Sequence, residues 1–138
     1  PSIDKQLMCL AEAVYFEARG ENLVGQLAVA EVILNRVDSK SFPDSICKVI
    51  SEGATRLNSC QFSYNCDGKP ETIFEKRVYN RILKLSSFLH MGAARLLTGG
   101  AVFYHSETVT PSWSTKFKKT NKIGGHLFYK IEQRMAKK

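Results

Sequence analysis

Several common protein classes are excluded by what this sequence lacks. No apolar run approaches the roughly 20 residues that a membrane-crossing helix needs. The opening residues, PSIDKQ, have neither a charged n-region nor an apolar h-region, so no export signal is visible in this chain. CxxC spacing and a paired HxxxH are both absent, which argues against a structural zinc site. Ser106, Ser112 and Ser114 lie near His105, but no GxSxG elbow accompanies them, so a serine hydrolase is not indicated. No basic region interleaved with ribonucleoprotein-type aromatics points to nucleic acid. Acid is also scarce at one end. From Pro1 to Thr115 the two signs balance at 12 each, whereas Lys116 to Lys138 holds eight basic residues against one acid, Glu132. The entire formal excess of +7 therefore lies in the last segment. Such an edge either attracts polyanions or forms a solvated face with a frayed tail.

What is present is globular. With 138 residues, 43% hydrophobic and 24% charged, the chain suits one compact domain spanning residues 1–138 rather than two. It is organised around Ala11 to Val37, AEAVYFEARGENLVGQLAVAEVILNRV. Ile3, Leu7, Leu10, Val14 and Ala18 recur at helical spacing and predict a helix from Ile3 to Arg19, ended by Gly20. Glu17 sits in the last turn at the edge of that stripe, with Val14, Ala13 and Leu10 as its helical neighbours. Partial desolvation is expected to raise its pKa and make it a proton donor near neutral pH, with Glu21 beyond the glycine adding to the effect. Glu12 points a different way round the helix. A second helix, capped by Asn22 and running to Val37, carries Leu23, Leu27, Ala30 and Leu34 on one face. Val24, Ala28 and Val32 nearly close its circle, so it is expected to be central. Glu31 within it competes with Glu17 for the acid role. It reads instead as a structural carboxylate, satisfied by Arg19, Arg36 or Arg56, or by backbone amides.

Pro43 opens a short helix from Asp44 to Ser51. Glu52 to Pro70 is rich in Gly, Asn, Ser and Cys, with Gln61, Phe62 and Tyr64 alternating along an irregular hairpin. An amide beside aromatic rings suits sugar binding, packing beneath a disulfide being the other reading. The four cysteines allow three full pairings. Cys60 and Cys66 bracket CQFSYNC and read as a disulfide, Cys9 as a small buried hydrophobe, and Cys47 as another or as its partner. Helical periodicity returns from Glu71 to Leu97 through Ile73, Phe74, Val78, Ile82, Leu85, Leu89 and Ala93. His90 reads as a surface or capping residue, and Gly99 with Gly100 as the stop. Ala101 to His105 is a predicted strand, followed by a loop through Pro111. Trp113, the single tryptophan, is either a lid over the core or a sugar-stacking platform. The turn and strand in Lys122 to Tyr129 would pair with AVFYH and bring His105 near His126.

Six ordered blocks, YFEARGE, GQLAVAEVILNRV, FPDSICKVI, CQFSYNCDG, YHSETVTPSW and IGGHLFY, run from about Leu10 to Tyr129 and cover nearly the whole chain. In them the sequence resembles the SleB/CwlJ-type cell wall hydrolases, a group that includes spore-cortex-lytic enzymes. The resemblance implies a peptidoglycan-cleaving glycosidase with a mainly helical, α+β, lysozyme-like or lytic-transglycosylase-like domain and a small β lobe. Glu17 matches the family's catalytic glutamate, and the Gln61–Tyr64 block would flank the substrate cleft. Tyr104, His105, Trp113 and His126 complete the expected substrate-binding set. No second carboxylate stands out, which suits a lytic transglycosylase acting without cofactor or metal. Asp67 or Glu107 holding a water would instead give a hydrolytic muramidase. His105 and His126 with a third ligand would build a zinc amidase or endopeptidase, and the aromatics with the basic tail alone would make a noncatalytic wall-binding module. The expected setting is a monomer on peptidoglycan glycan strands, in the periplasm, outside the cell or at the wall, of bacterial, spore or phage origin.

Overall fold

The computed structural model describes residues 4–52 and 73–132. Ile3, Arg56 and the block holding Cys60, Gln61, Phe62, Tyr64, Cys66 and Asp67 lie outside the described residues. Helix α1, Lys5–Ala18, starts where the Asp4 carboxylate accepts the Leu7 N–H at 2.8 Å. It packs against three further helices: α2 (Leu23–Val37), α3 (Ile46–Ser51) and α4 (Lys76–His90). That explains why its buried face is wider than one stripe. Ala11, Ala13 and Tyr15 are enclosed along with Leu7, Leu10, Val14 and Ala18. The helix does stop at Gly20, but not through a left-handed glycine. Arg19 keeps right-handed backbone, and the Glu21 N–H returns to the Ala18 carbonyl at 2.9 Å. Gln26, 1% exposed, adds its Nε2 to the carbonyls of Ala18 (3.3 Å) and Glu21 (3.1 Å).

Asn22 caps α2 as its side chain implies, accepting the Gly25 N–H at 3.0 Å. The helix is buried from Ala28 to Leu34, although Leu23 and Val24 in its first turn are exposed. Three boundaries differ from the sequence reading, one being the start of α4 at Lys76, since residues 73–75, expected within it, are not helical. Helix α3 starts at Ile46, two residues late, because Ser45 rather than Pro43 provides the start by accepting the Lys48 N–H. Helix α4 ends at His90, well short of Leu97, because Met91 closes it and Gly92 then takes a φ of 111°. Gly99 and Gly100 lie in the loop beyond, and Leu96 there is 84% exposed, so the apolar periodicity past Met91 is not a buried face. His90 is the last residue of α4, and its Nε2 stands 3.3 Å from the Asp4 carboxylate whose other oxygen caps α1.

Three antiparallel strands form one sheet in the order β1-β3-β2: β1 is Phe103–Ser106, β2 Lys118–Ile123 and β3 His126–Lys130. The predicted pairing of AVFYH with HLFYK is present, with Tyr104 opposite Phe128 and Ser106 opposite His126. Strand β2 was not legible in the sequence. KKTNKI has no apolar alternation because it is an exposed edge strand, and lysines on an edge discourage pairing with other chains. The α+β, mainly helical architecture with a small β lobe matches the expectation.

Cys9 is not a free buried thiol. It is bonded to Cys47, with Cα atoms 5.4 Å apart, and joins α1 to α3, where the Cys47 N–H also reaches Gln6 Oε1 at 2.9 Å. A bridge spanning 38 residues contributes about 4 kcal/mol in the loop-closure model. Cys9→Ser with Cys47→Ser should therefore lower unfolding free energy by about 2–4 kcal/mol in denaturant titrations. A reductant should destabilise the wild type by more than it destabilises the double variant, which keeps only Cys60 and Cys66.

Candidate active site

Strand β1 is placed by polar groups on α2. The Glu31 side chain, only 2% exposed, accepts the N–H groups of Leu97 and Thr98 and the Thr98 hydroxyl at 2.9–3.2 Å. One turn on, Asn35 donates to the Ala101 carbonyl at 2.8 Å, and Arg36 Nε donates to the Val102 carbonyl at 2.6 Å. The Arg36 guanidinium also lies over the rings of Phe42 and Phe103. Glu31 is thus a structural carboxylate satisfied by amides and a hydroxyl rather than by arginine. Arg19 pairs with Glu75 instead, at 3.6 Å.

This rack brings Tyr104 to the last turn of α1. Its hydroxyl donates to Glu17 Oε1 at 2.8 Å. Burial pushes the Glu17 carboxyl above the usual carboxylate range, and the Tyr104 hydrogen bond offsets part of that rise. Glu21 does not contribute, contrary to the sequence expectation, because its carboxylate turns elsewhere. Its Oε1 stands 4.0 Å from His126 Nδ1, and a Cβ added at Gly124 would meet the same oxygen at 2.7 Å. Gly124, at a φ of 58°, therefore lets the β2–β3 turn close over Glu21.

The sheet separates the remaining candidates. Tyr104, Phe128 and His126 share the face toward Glu17, with His126 edge-on to the Tyr104 ring at 5.3 Å. Phe103, His105 and Tyr129 share the opposite face. His105 and His126 are thus close along the ladder, yet their side chains point to opposite sides, so they do not converge as a ligand pair. His105 is 8% exposed and has both ring nitrogens engaged: Nδ1 donates to the Ser106 carbonyl at 2.7 Å and Nε2 accepts from the Tyr129 hydroxyl at 2.9 Å. It braces the sheet. Tyr104, 5% exposed, likewise presents its hydroxyl to Glu17 instead of an open surface. Trp113 is half-buried in a 3-10 turn, Ser112–Thr115, against Phe103, His105 and Tyr129 at 5.2–5.5 Å, and closes that aromatic cluster as a lid. Glu107 is paired with Lys122 at 3.1 Å. Gln26, at the junction of α1 and α2, went unnoticed in the sequence. Its place four residues into a capped helix, beside the end of the preceding one, was the available signal.

The family model described as Cell Wall Hydrolase matches residues 20–129. This chain belongs to that family. The cell wall hydrolase is 38% identical over 132 residues to a spore cortex-lytic enzyme of Bacillus cereus, covering 92% of this chain and 44% of that protein. It is 34% identical over 126 residues to the spore cortex-lytic enzyme of Halalkalibacterium halodurans, covering 91% and 34%. The chain therefore spans less than half the length of these curated relatives. Among solved structures it is similar to the catalytic domain of the Bacillus cereus SleB protein (TM-score 0.67, 34% identity, 94% of this chain and 93% of that one). It is also similar to the catalytic domain of the germination-specific lytic transglycosylase SleB from Bacillus anthracis (TM-score 0.68, 32% identity, 94% and 97%).

Two stability measurements separate the roles of buried Glu31 and half-buried Glu17. Glu31→Gln turns an amide NH₂ toward backbone donors, so it should cost roughly 2–3 kcal/mol in denaturant unfolding while turnover per folded molecule falls less than about tenfold. Glu17→Gln should do the reverse. A carboxyl whose native pKa lies above its unfolded value opposes folding when ionised. That opposition is absent below the unfolded pKa and complete above the native one. The melting temperature of Glu17→Gln should therefore exceed that of the wild type at pH 7, and the gap should close by about pH 4.

Proposed function

We propose that this cell wall hydrolase cleaves the glycan strand of peptidoglycan at N-acetylmuramic acid–N-acetylglucosamine linkages as a lytic transglycosylase, with Glu17 as its single general acid and base. The observation that carries this reading is the Glu17 carboxyl itself: half-buried in the last turn of α1, held through one oxygen by the Tyr104 hydroxyl, with a pKa that burial raises above the usual carboxylate range. Glu17 gives its proton to the glycosidic oxygen as the bond from that oxygen to the muramic C1 breaks. The departing N-acetylglucosamine keeps the proton as its 4-hydroxyl. The muramic 6-hydroxyl then bonds to C1, and its proton passes to the Glu17 carboxylate, leaving a 1,6-anhydro end and the acid restored. A hydrolytic outcome needs a second group to hold water. Among the described residues, Glu107 pairs with Lys122 and Glu21 faces the β2–β3 turn, which supports intramolecular attack, while Asp67, the other candidate for holding a water, lies outside them. The activity described for the Bacillus anthracis relative supports the same choice. His126 and the Gln61–Tyr64 block are the proposed glycan contacts, and the site of action is the cell wall.

Glu17→Gln should keep the fold and lose glycan cleavage to below about a tenth of wild type, because an amide cannot supply the proton. Mass spectrometry of digested peptidoglycan should show anhydro-muramic ends with the wild type. Reducing ends would indicate hydrolysis, and freed peptides an amidase.

A further inference from the structure

We propose that Tyr104 is a positioning residue which fixes the acid proton of Glu17 on Oε2 by donating its own hydroxyl hydrogen to Oε1. The proposal rests on Glu17 being the acid. A carboxylic acid carries one proton on either of two oxygens, and only the oxygen facing the scissile bond can deliver it. The Tyr104 O–H reaches Oε1 at 2.8 Å from the sheet side, whereas Oε2 makes no hydrogen bond among the described residues. A proton on Oε1 would meet the tyrosine rather than a substrate, and it would displace the donor already there. The donor cannot easily turn away. Tyr104 is buried, opposite Phe128 in register, with its ring against Phe128 at 5.7 Å and His126 at 5.3 Å.

The other ionisable groups around this corner are directed elsewhere. His126 meets the Tyr104 ring rather than its hydroxyl and faces Glu21, while Arg19 faces Tyr15 and Glu75. From α2 come the neutral amide of Gln26, which serves backbone carbonyls, and the Arg36 guanidinium, which donates to the Val102 carbonyl and whose charge is felt at Tyr104. The Tyr104 hydroxyl is therefore the one charge-sensitive hydrogen bond that the described residues make to Glu17.

This arrangement gives a signature that a merely structural tyrosine lacks. Its hydrogen bond favours the ionised carboxylate, so removing it lets Glu17 hold its proton to higher pH. Turnover nevertheless falls, because the proton is no longer confined to the productive oxygen. In the full chain, Tyr104→Phe should lower kcat on soluble glycan strands by about tenfold to a hundredfold, with KM within about twofold. The alkaline limb of the kcat profile should move up in pH. Carbon-13 NMR titration of the Glu17 carboxyl, without substrate, should show its midpoint rising in the same variant. An unmoved or lowered midpoint, or unchanged kcat, overturns the proposal while leaving Glu17 as the acid. If Tyr104→Phe does not fold, the ring-carbon shift of Tyr104 in the wild type should follow the Glu17 midpoint and lose that inflection in Glu17→Gln. Its failure to do so also overturns the proposal. A cleavage-competent Glu17→Gln would instead remove the assignment of Glu17, whatever the NMR coupling shows.

Discussion

The carboxylate of Glu31 fixes the relation between the helices and the sheet. It lies inside the protein and must find donors there, because an unpaired buried charge costs several kcal/mol. It finds them in the segment that leads into β1. Asn35 and Arg36 extend the same attachment to Ala101 and Val102, so backbone groups of four residues on the way to Tyr104 are held from one helix face. Hydrophobic burial alone would leave this approach free to slide. Polar groups with fixed directions determine where Tyr104 arrives, and through it how Glu17 is oriented.

Glu17 and Glu31 show how environment divides one side chain into two chemistries. Both are on neighbouring helices in the same core. Glu31 is surrounded by donors, two backbone N–H groups and the Thr98 hydroxyl, that fasten it to the segment leading into β1. Among the described residues Glu17 receives a single donor, and its partial burial disfavours the charged form. A carboxyl with many partners is a fastener, and one with a single partner remains available for reaction.

Local signals in the sequence were read correctly where they had local causes. The Asn22 cap, the extents of α1 and α2, and the β1–β3 pairing follow from spacing and side-chain chemistry within a few residues. The partial burial of Glu17 also followed from its helical neighbours. Other features depend on contacts distant in sequence. Glu31's partners lie 66 and 67 residues away, and the disulfide chose Cys9 and Cys47 from three possible pairings. Helix α4 was overextended because apolar periodicity persists beyond Gly92, while backbone conformation ends the helix there. Pairing of β1 with β3 correctly implied that His105 and His126 are neighbours along the ladder. Alternation of the pleat then put their side chains on opposite faces, a step that was available from the strand pattern itself.

That alternation makes the protein unequally tolerant of length changes. One residue inserted in β1 would exchange its two faces, turning Phe103 or His105 toward Glu17 in place of Tyr104 and exposing the aromatic cluster beneath Trp113. Strand β2 already absorbs an irregularity between Lys119 and Asn121 without disturbing the pair that carries Tyr104 and His126. Natural variation in chain length and deliberate insertions alike should therefore be accommodated in β2, while β1 and β3 keep a fixed count of residues.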